Sequence, residues 1–120
     1  VLFQTLRGGP ITFHRIQGGV AAYLLLGVVW AHAYSMLALA RHGAFSGAAS
    51  AADGPRAFLY YSFVTLTTVG YGDVLPVHPT ARSLAMLEAV TGPLYLAILL
   101  ARLVSLAVTP GAPMARKGLP

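Results

Sequence analysis

Between residues 16 and 40 the chain carries no Lys, Arg, Asp or Glu. The run GGVAAYLLLGVVWAHAYSMLALA fills most of that stretch. A bilayer-spanning helix needs about 20 predominantly apolar residues, so this run has the length and character to cross a membrane. It is too long for the apolar region of a signal peptide, and no clear cleavage site follows it. A second stretch, residues 83–101, contains one charge, Glu88, and apolar character resumes after Arg102. Two such stretches leave room for one small domain in 120 residues. The composition agrees: 57% of residues are hydrophobic and 9% charged, whereas a soluble domain carries about 25% charged residues. There is too little polar side chain to cover a water-facing surface.

The net charge of +5 reflects scarce acids, 3 Asp and Glu against 8 Lys and Arg, and argues for a basic membrane protein rather than a nucleic-acid partner. Without cysteine, neither a disulfide framework nor a thiolate metal site is available. Arg7, Arg15, Arg102, Arg116 and Lys117 lie toward the two ends, while Arg41, Arg56 and Arg82 fall between the spans. Basic residues favour the cytoplasmic side, so both termini are expected there, in a multi-pass protein of the cell membrane.

Residues 1–17 read as an amphipathic interfacial lead-in, as a tail cut from a longer protein, or as residues partly foreign to the natural chain, since VLFQ resembles part of a protease recognition site. Residues 41–56, RHGAFSGAASAADGPR, read as an exposed, glycine-rich loop. Asp53-Gly54-Pro55 then looks like a helix start, with proline in the first turn. The apolar and aromatic run AFLYYSFVTLTT is too short to span. Its β-branched and aromatic residues would suit a strand, but an isolated strand in lipid leaves its backbone unpaired. A short helix that enters and stops is the expectation. TLTTVGYGD, residues 65–73, follows, then the proline-bounded loop VLPVHP. Non-helical backbone at membrane depth is tolerated only where it is buried in protein or lines a watery cavity. VGYGD is therefore expected to line something.

In Thr67-Thr68-Val69-Gly70-Tyr71-Gly72-Asp73, set between a short helix and a second span, the chain resembles the pore domain of potassium channels. The resemblance covers roughly residues 18–108. TVGYG loops are the standard example of carbonyl rings that replace a potassium ion's hydration shell, contributed by four chains. The resemblance implies an all-α membrane protein with two transmembrane helices, a re-entrant pore helix and a selectivity-filter loop, assembled as a homotetramer. The pore domain would comprise an outer helix over 18–40, a pore helix over 56–67, a filter over 68–73 and an inner helix over 80–108, followed by a tail over 109–120. Its function would be passive, potassium-selective conduction, with K+ bound in the filter, membrane lipid around it and no cofactor. No catalytic constellation is seen, and no enzyme activity is expected.

By the same resemblance, the carbonyls of Thr68, Val69, Gly70 and Tyr71 form the ion sites, and the Thr68 hydroxyl adds the innermost ring. Gly70 and Gly72 can adopt φ values closed to other residues, which lets consecutive carbonyls face one way. Val69 and Tyr71 side chains would pack behind the filter. Thr67, Gly72 and Asp73 support it. Tyr60 and Tyr61 stand where many family members carry a tryptophan pair and would brace it, one hydroxyl reaching Asp73; plain aromatic packing is the alternative. Val64 occupies the position at which some relatives place a glutamate behind the filter, so that carboxyl pairing is absent.

Gly92 lies 19 residues after Asp73, the spacing of the inner-helix glycine in many family members, so by resemblance it is a candidate gating hinge. Gly92-Pro93 reads as a bend, with close helix approach as the alternative. Pro93, Leu96 and Leu100 share one helical face, the cavity-lining face by family position. An acid within a span invites a functional hypothesis. Glu88 is expected behind the filter, hydrogen-bonded by Thr65 or Thr67, with a structural role ahead of a proton-linked one. His32 reads as a packing group, His78 as a titratable group at the mouth, Trp30 as a lipid-facing or packing aromatic, and Arg102 as reaching for the inner interface. Two other identities compete: a piece of a larger channel, and a subunit of an ion-coupled potassium transporter. Transporters of that kind carry degenerate filters with a single glycine, against which the intact VGYGD argues.

Overall fold

The computed structural model describes residues 13–47 and 54–108. The expected interfacial segment up to residue 12, the cap at Asp53, the tail over 109–120 and the terminal charges Arg7, Arg116 and Lys117 lie outside them. The order of elements is helix α1 (Phe13–Ala40), strand β1 (Phe45–Gly47), helix α2 (Gly54–Leu66), strand β2 (Val74–Pro76) and helix α3 (Pro79–Val108). The segments His14–Ala40 and Pro79–Ser105 are each 27 residues long and apolar enough to span. At 1.5 Å per residue such a helix reaches about 40 Å, against a hydrocarbon core of about 30 Å.

Helix α2 is short and wedged between the other two. Its inward face is Phe58, Tyr61, Ser62 and Leu66, a helical i, i+3, i+4, i+8 stripe. Phe58 and Tyr61 join Tyr34 of α1 and Val74 of β2 in the core, with Trp30, Phe45, Leu84 and Ala85 packed around them. The aromatic rings meet edge to face: Tyr34 and Tyr61 at 5.0 Å, Phe45 and Phe58 at 5.0 Å, Tyr34 and Phe45 at 5.6 Å. This is a favoured arrangement of ring quadrupoles. At the opposite end of α1, the Tyr95 hydroxyl of α3 donates to the Gly19 carbonyl at 2.7 Å, with the Tyr23 and Tyr95 rings 5.7 Å apart.

The two segments read as loops contain an addition to the helical plan. Strands β1 and β2 pair antiparallel in the register Phe45↔Pro76, Ser46↔Leu75 and Gly47↔Val74. The Val77 and His78 amides extend the contact to the Ala44 carbonyl. Three residues per strand carry too little alternation to announce themselves in sequence. Outside this small core, side chains of α1 and α3 such as Leu25, Val29, Met36, Leu87, Val90 and Leu94 stand exposed on one chain.

Candidate functional site

Helix α2 ends through its own backbone. The Val69 amide donates to the Val64 carbonyl at 3.0 Å and the Thr68 amide to the Thr65 carbonyl at 3.0 Å. That pair of bonds is the Schellman motif, which closes a helix with one residue in the left-handed conformation, usually glycine. Here the residue is Thr68, with φ at 61°. It is the one non-glycine residue with positive φ among the described residues. A β-branched residue in that conformation is a genuine outlier, at a cost of about 1–2 kcal/mol. Such strain is retained where a side chain is needed for something else.

The next residues continue the pattern. Gly70 and Gly72 also have positive φ, 60° and 78°. The Gly70 amide turns back to the Val64 carbonyl at 3.2 Å. Thus Val64, the position without a glutamate, contributes a carbonyl that anchors two amides of the following segment. Among the described residues, nothing donates to the carbonyls of Thr68, Val69, Gly70 or Tyr71. These oxygens are left open to a partner from outside the chain. The helix preceding them adds to the field, because its C-terminal end carries partial negative charge.

Tyr60 and Tyr61, adjacent in sequence, do different things. About 100° separates them around the helix. Tyr61 is buried in the aromatic core. Tyr60 is exposed, and its hydroxyl donates to Asp73 Oδ2 at 2.8 Å. The Tyr60 ring lies parallel to that of Tyr71, with centroids 6.5 Å apart. Asp73 Oδ1 accepts from the Val74 amide at 3.2 Å, at the start of β2. Gly47 of β1 closes against the Asp73 carbonyl so tightly that a Cβ there would collide with it. The β ladder therefore abuts the last residue of the motif, and sequence gave no sign of Gly47's role. On one chain Val69 and Tyr71 are 52% and 71% exposed.

Behind α2 lies a buried polar group. Glu88 of α3 is fully buried. Its Oε2 accepts from the Tyr34 hydroxyl at 2.5 Å, and its Oε1 lies 2.5 Å from Ser62 Oγ. Ser62 Oγ is also 2.8 Å from the Gly27 carbonyl of α1. The expected partners, Thr65 and Thr67, are not the ones used. Their hydroxyls donate to the carbonyls one turn back on α2, Tyr61 and Phe63, at 2.9 and 2.6 Å. Threonine satisfies itself this way readily in a helix. Ser62 and Tyr34 were missed in sequence. The available signal for Ser62 was its place as the polar member of the apolar stripe on α2.

The Leu66 carbonyl accepts from the Tyr23 hydroxyl at 3.1 Å. It also faces Gly92, where a Cβ would strike that same oxygen. Close approach is therefore what Gly92 supplies at this point. Helix α3 is continuous through Pro93. Pro93, Leu96 and Leu100 are exposed on the single chain. Elsewhere, His32 Nδ1 is 2.8 Å from the Val28 carbonyl. His78 Nδ1 accepts from the Thr80 amide at 3.2 Å, at the start of α3. Arg82 Nε donates to the Pro76 carbonyl at 3.2 Å. Trp30 stacks on Tyr34, and its indole N–H is buried with no hydrogen-bond partner among the described residues.

A sequence profile of the family described as "Ion channel" matches residues 22–109. Two curated proteins are also similar. A two-pore potassium channel 4 of Arabidopsis thaliana is 46% identical over 46 residues, which is 38% of this chain and 16% of that protein. The inward rectifier potassium channel Kirbac3.1 of Paramagnetospirillum magnetotacticum is 34% identical over 80 residues, 63% of this chain and 24% of that protein. The chain thus spans less than a quarter of the length of either relative.

Proposed function

Since the chain belongs to the ion channel family, a family of membrane proteins and not of enzymes, we propose that it forms a passive, potassium-selective pore from four identical copies. The observation that carries this reading is the segment after α2. It combines left-handed residues at 68, 70 and 72 with carbonyls at 68–71 that no described group satisfies. Four such segments around one axis stack rings of oxygen that stand in for the hydration shell of K+. In this reading Thr68, Val69, Gly70 and Tyr71 hold the ions. The Thr68 hydroxyl completes the innermost ring, which is the use that justifies its strained backbone.

Gly72, Asp73, Thr67, Tyr60, Tyr61 and Glu88 support the filter. Pro93, Leu96 and Leu100 line the cavity below it, and Gly92 seats α3 against the end of α2. The exposed apolar faces of α1 and α3 meet lipid and neighbouring copies. Residues 18–108 form the pore domain, and both termini lie on the cytoplasmic side of the cell membrane. That K+ is the permeant ion is supported by the two relatives, both named as potassium channels.

The test is flux from vesicles reconstituted with the full chain, in K+ and in Na+, with and without barium. A large preference for K+ and block by barium are expected. Equal permeability, or no barium-sensitive flux from protein shown to be tetrameric, overturns the reading. Gly70→Ala places a side chain on a residue with φ at 60°. It should abolish selective flux while both helices still insert, and retained selectivity would refute the carbonyl-ring assignment.

A further inference from the structure

Glu88 is the one glutamate in the 120 residues, and the contacts around it define its protonation by a count. Three close oxygen–oxygen contacts run in a chain. Tyr34 meets Glu88 Oε2 at 2.5 Å, Glu88 Oε1 meets Ser62 Oγ at 2.5 Å, and Ser62 Oγ meets the Gly27 carbonyl at 2.8 Å. Each contact needs one hydrogen between its oxygens. The tyrosine hydroxyl supplies one and the serine hydroxyl a second, since each carries a single proton. The Gly27 carbonyl has none to give. The third must come from the carboxyl.

An ionised Glu88 leaves the chain one proton short. If Ser62 donated to the carboxylate, its Oγ would face the Gly27 carbonyl with nothing between them. If it donated to Gly27, the carboxylate and hydroxyl oxygens would face each other bare. Either arrangement sets lone pair against lone pair in a buried site, where an unsatisfied group is costly. The neutral acid satisfies every atom: Oε1–H donates to Ser62, Ser62 donates to Gly27, and Tyr34 donates to Oε2.

The surroundings agree. Among the described residues, the groups that face the carboxyl are Tyr34 and, further off, Tyr23 from α1, and Ser62 and Tyr61 from α2. None is a cation. On α3 itself the Thr91 hydroxyl turns back to the Leu87 carbonyl at 2.6 Å. A buried carboxylate without a cation is among the least favourable groups a membrane interior can hold.

We propose that Glu88 is held as the neutral carboxylic acid and that its proton ties α2 to both spanning helices, making Glu88 a positioning residue for the segment that follows α2. Ser62 sits six residues before Thr68, and Glu88 one turn before Gly92, whose backbone abuts the Leu66 carbonyl. The joint thus fixes α2 from behind, close to where the motif begins. Its protonation rests on contacts alone; its importance for ion selection rests on the channel reading above.

A single glutamate makes the test direct. Protein grown with 13C-labelled glutamate, reconstituted in vesicles at neutral pH, should show in the isotope-difference infrared spectrum the C=O band of a protonated acid. A pair of carboxylate bands instead would overturn the proposal. In Ser62→Ala the acid loses its acceptor, so its band should move to higher frequency. An unmoved band would show that the proton does not lie on Ser62, and would also overturn it. Glu88→Gln keeps a donor toward Ser62 and an acceptor toward Tyr34, and should keep the wild-type K+ to Na+ flux ratio. Loss of selectivity in Glu88→Gln with fold retained would refute the positioning role of the neutral group. Absence of K+ flux from the wild type, with the acid band present, would defeat the channel reading alone.

Discussion

The segment 68–73 is fastened by two joints of opposite character. The outer joint is exposed: the Tyr60 hydroxyl on Asp73, the parallel Tyr60 and Tyr71 rings, and the short β ladder against Asp73. The inner joint is buried at Tyr34, Glu88, Ser62 and Gly27, with Gly92 and the half-buried Tyr23 on the Leu66 carbonyl. Water competes for the outer bonds and replaces them when they break. Nothing replaces the inner ones. A hydrogen bond is worth about 1 kcal/mol net, while a buried group stripped of its partner costs about 1–3 kcal/mol. The inner joint therefore sets the position of the segment, and the outer joint adjusts its far end at Asp73.

The largest effect expected from this contrast is that of Glu88→Ala. It orphans the Tyr34 hydroxyl and the Ser62 link together, a loss on the order of 3 kcal/mol per chain. The temperature at which the proposed tetramer dissociates in detergent should fall by many degrees. An unchanged dissociation temperature would break the contrast at its stronger end. Gly92→Ala comes next. The added Cβ meets a backbone carbonyl oxygen, which cannot swing aside as a side chain can. Overpacking of this kind costs about 1–3 kcal/mol, offset by about 1 kcal/mol of helix propensity. A moderately lower dissociation temperature is expected, together with a reduced flux ratio, because α2 must shift. A more stable Gly92→Ala protein would show that close approach is not what glycine supplies there.

These contrasts also explain what the sequence revealed. The charge-free run at 16–40 and the near-charge-free run at 83–101 announce two spanning helices, because length and apolarity are local properties. VGYGD announces a non-helical segment with positive φ at Gly70 and Gly72 for the same reason: alternating glycines permit such φ without reference to anything distant. The partners of Glu88 were hidden by distance. Tyr34 is 54 residues away and reads as one more aromatic in an apolar run. The sequence points instead to Thr65 and Thr67, the hydroxyls nearest VGYGD, yet a helical threonine bonds the carbonyl one turn back. The β ladder was illegible because its pairing joins residues 45–47 to 74–76 without a turn signal between them. The sequence singles out Thr68 for its hydroxyl, but its left-handed backbone follows from how α2 terminates, which no pattern of residue types foretells.

The smallest effect should come from Tyr60→Phe, and it tests the weaker end of the comparison. The substitution removes one exposed hydroxyl and leaves the ring stacked beside Tyr71. Asp73 keeps its bond from the Val74 amide, and water takes the vacated oxygen. The dissociation temperature should stay within error of the wild type. The freed carboxylate is more open to cations, and long-range attraction between exposed charges is screened by salt. Any rise in K+ flux should therefore be visible at low ionic strength and vanish at high ionic strength, with the K+ to Na+ ratio unchanged. If Tyr60→Phe destabilised the assembly as much as Glu88→Ala, the outer joint would be structural after all. Solvent access would then not be what separates the two.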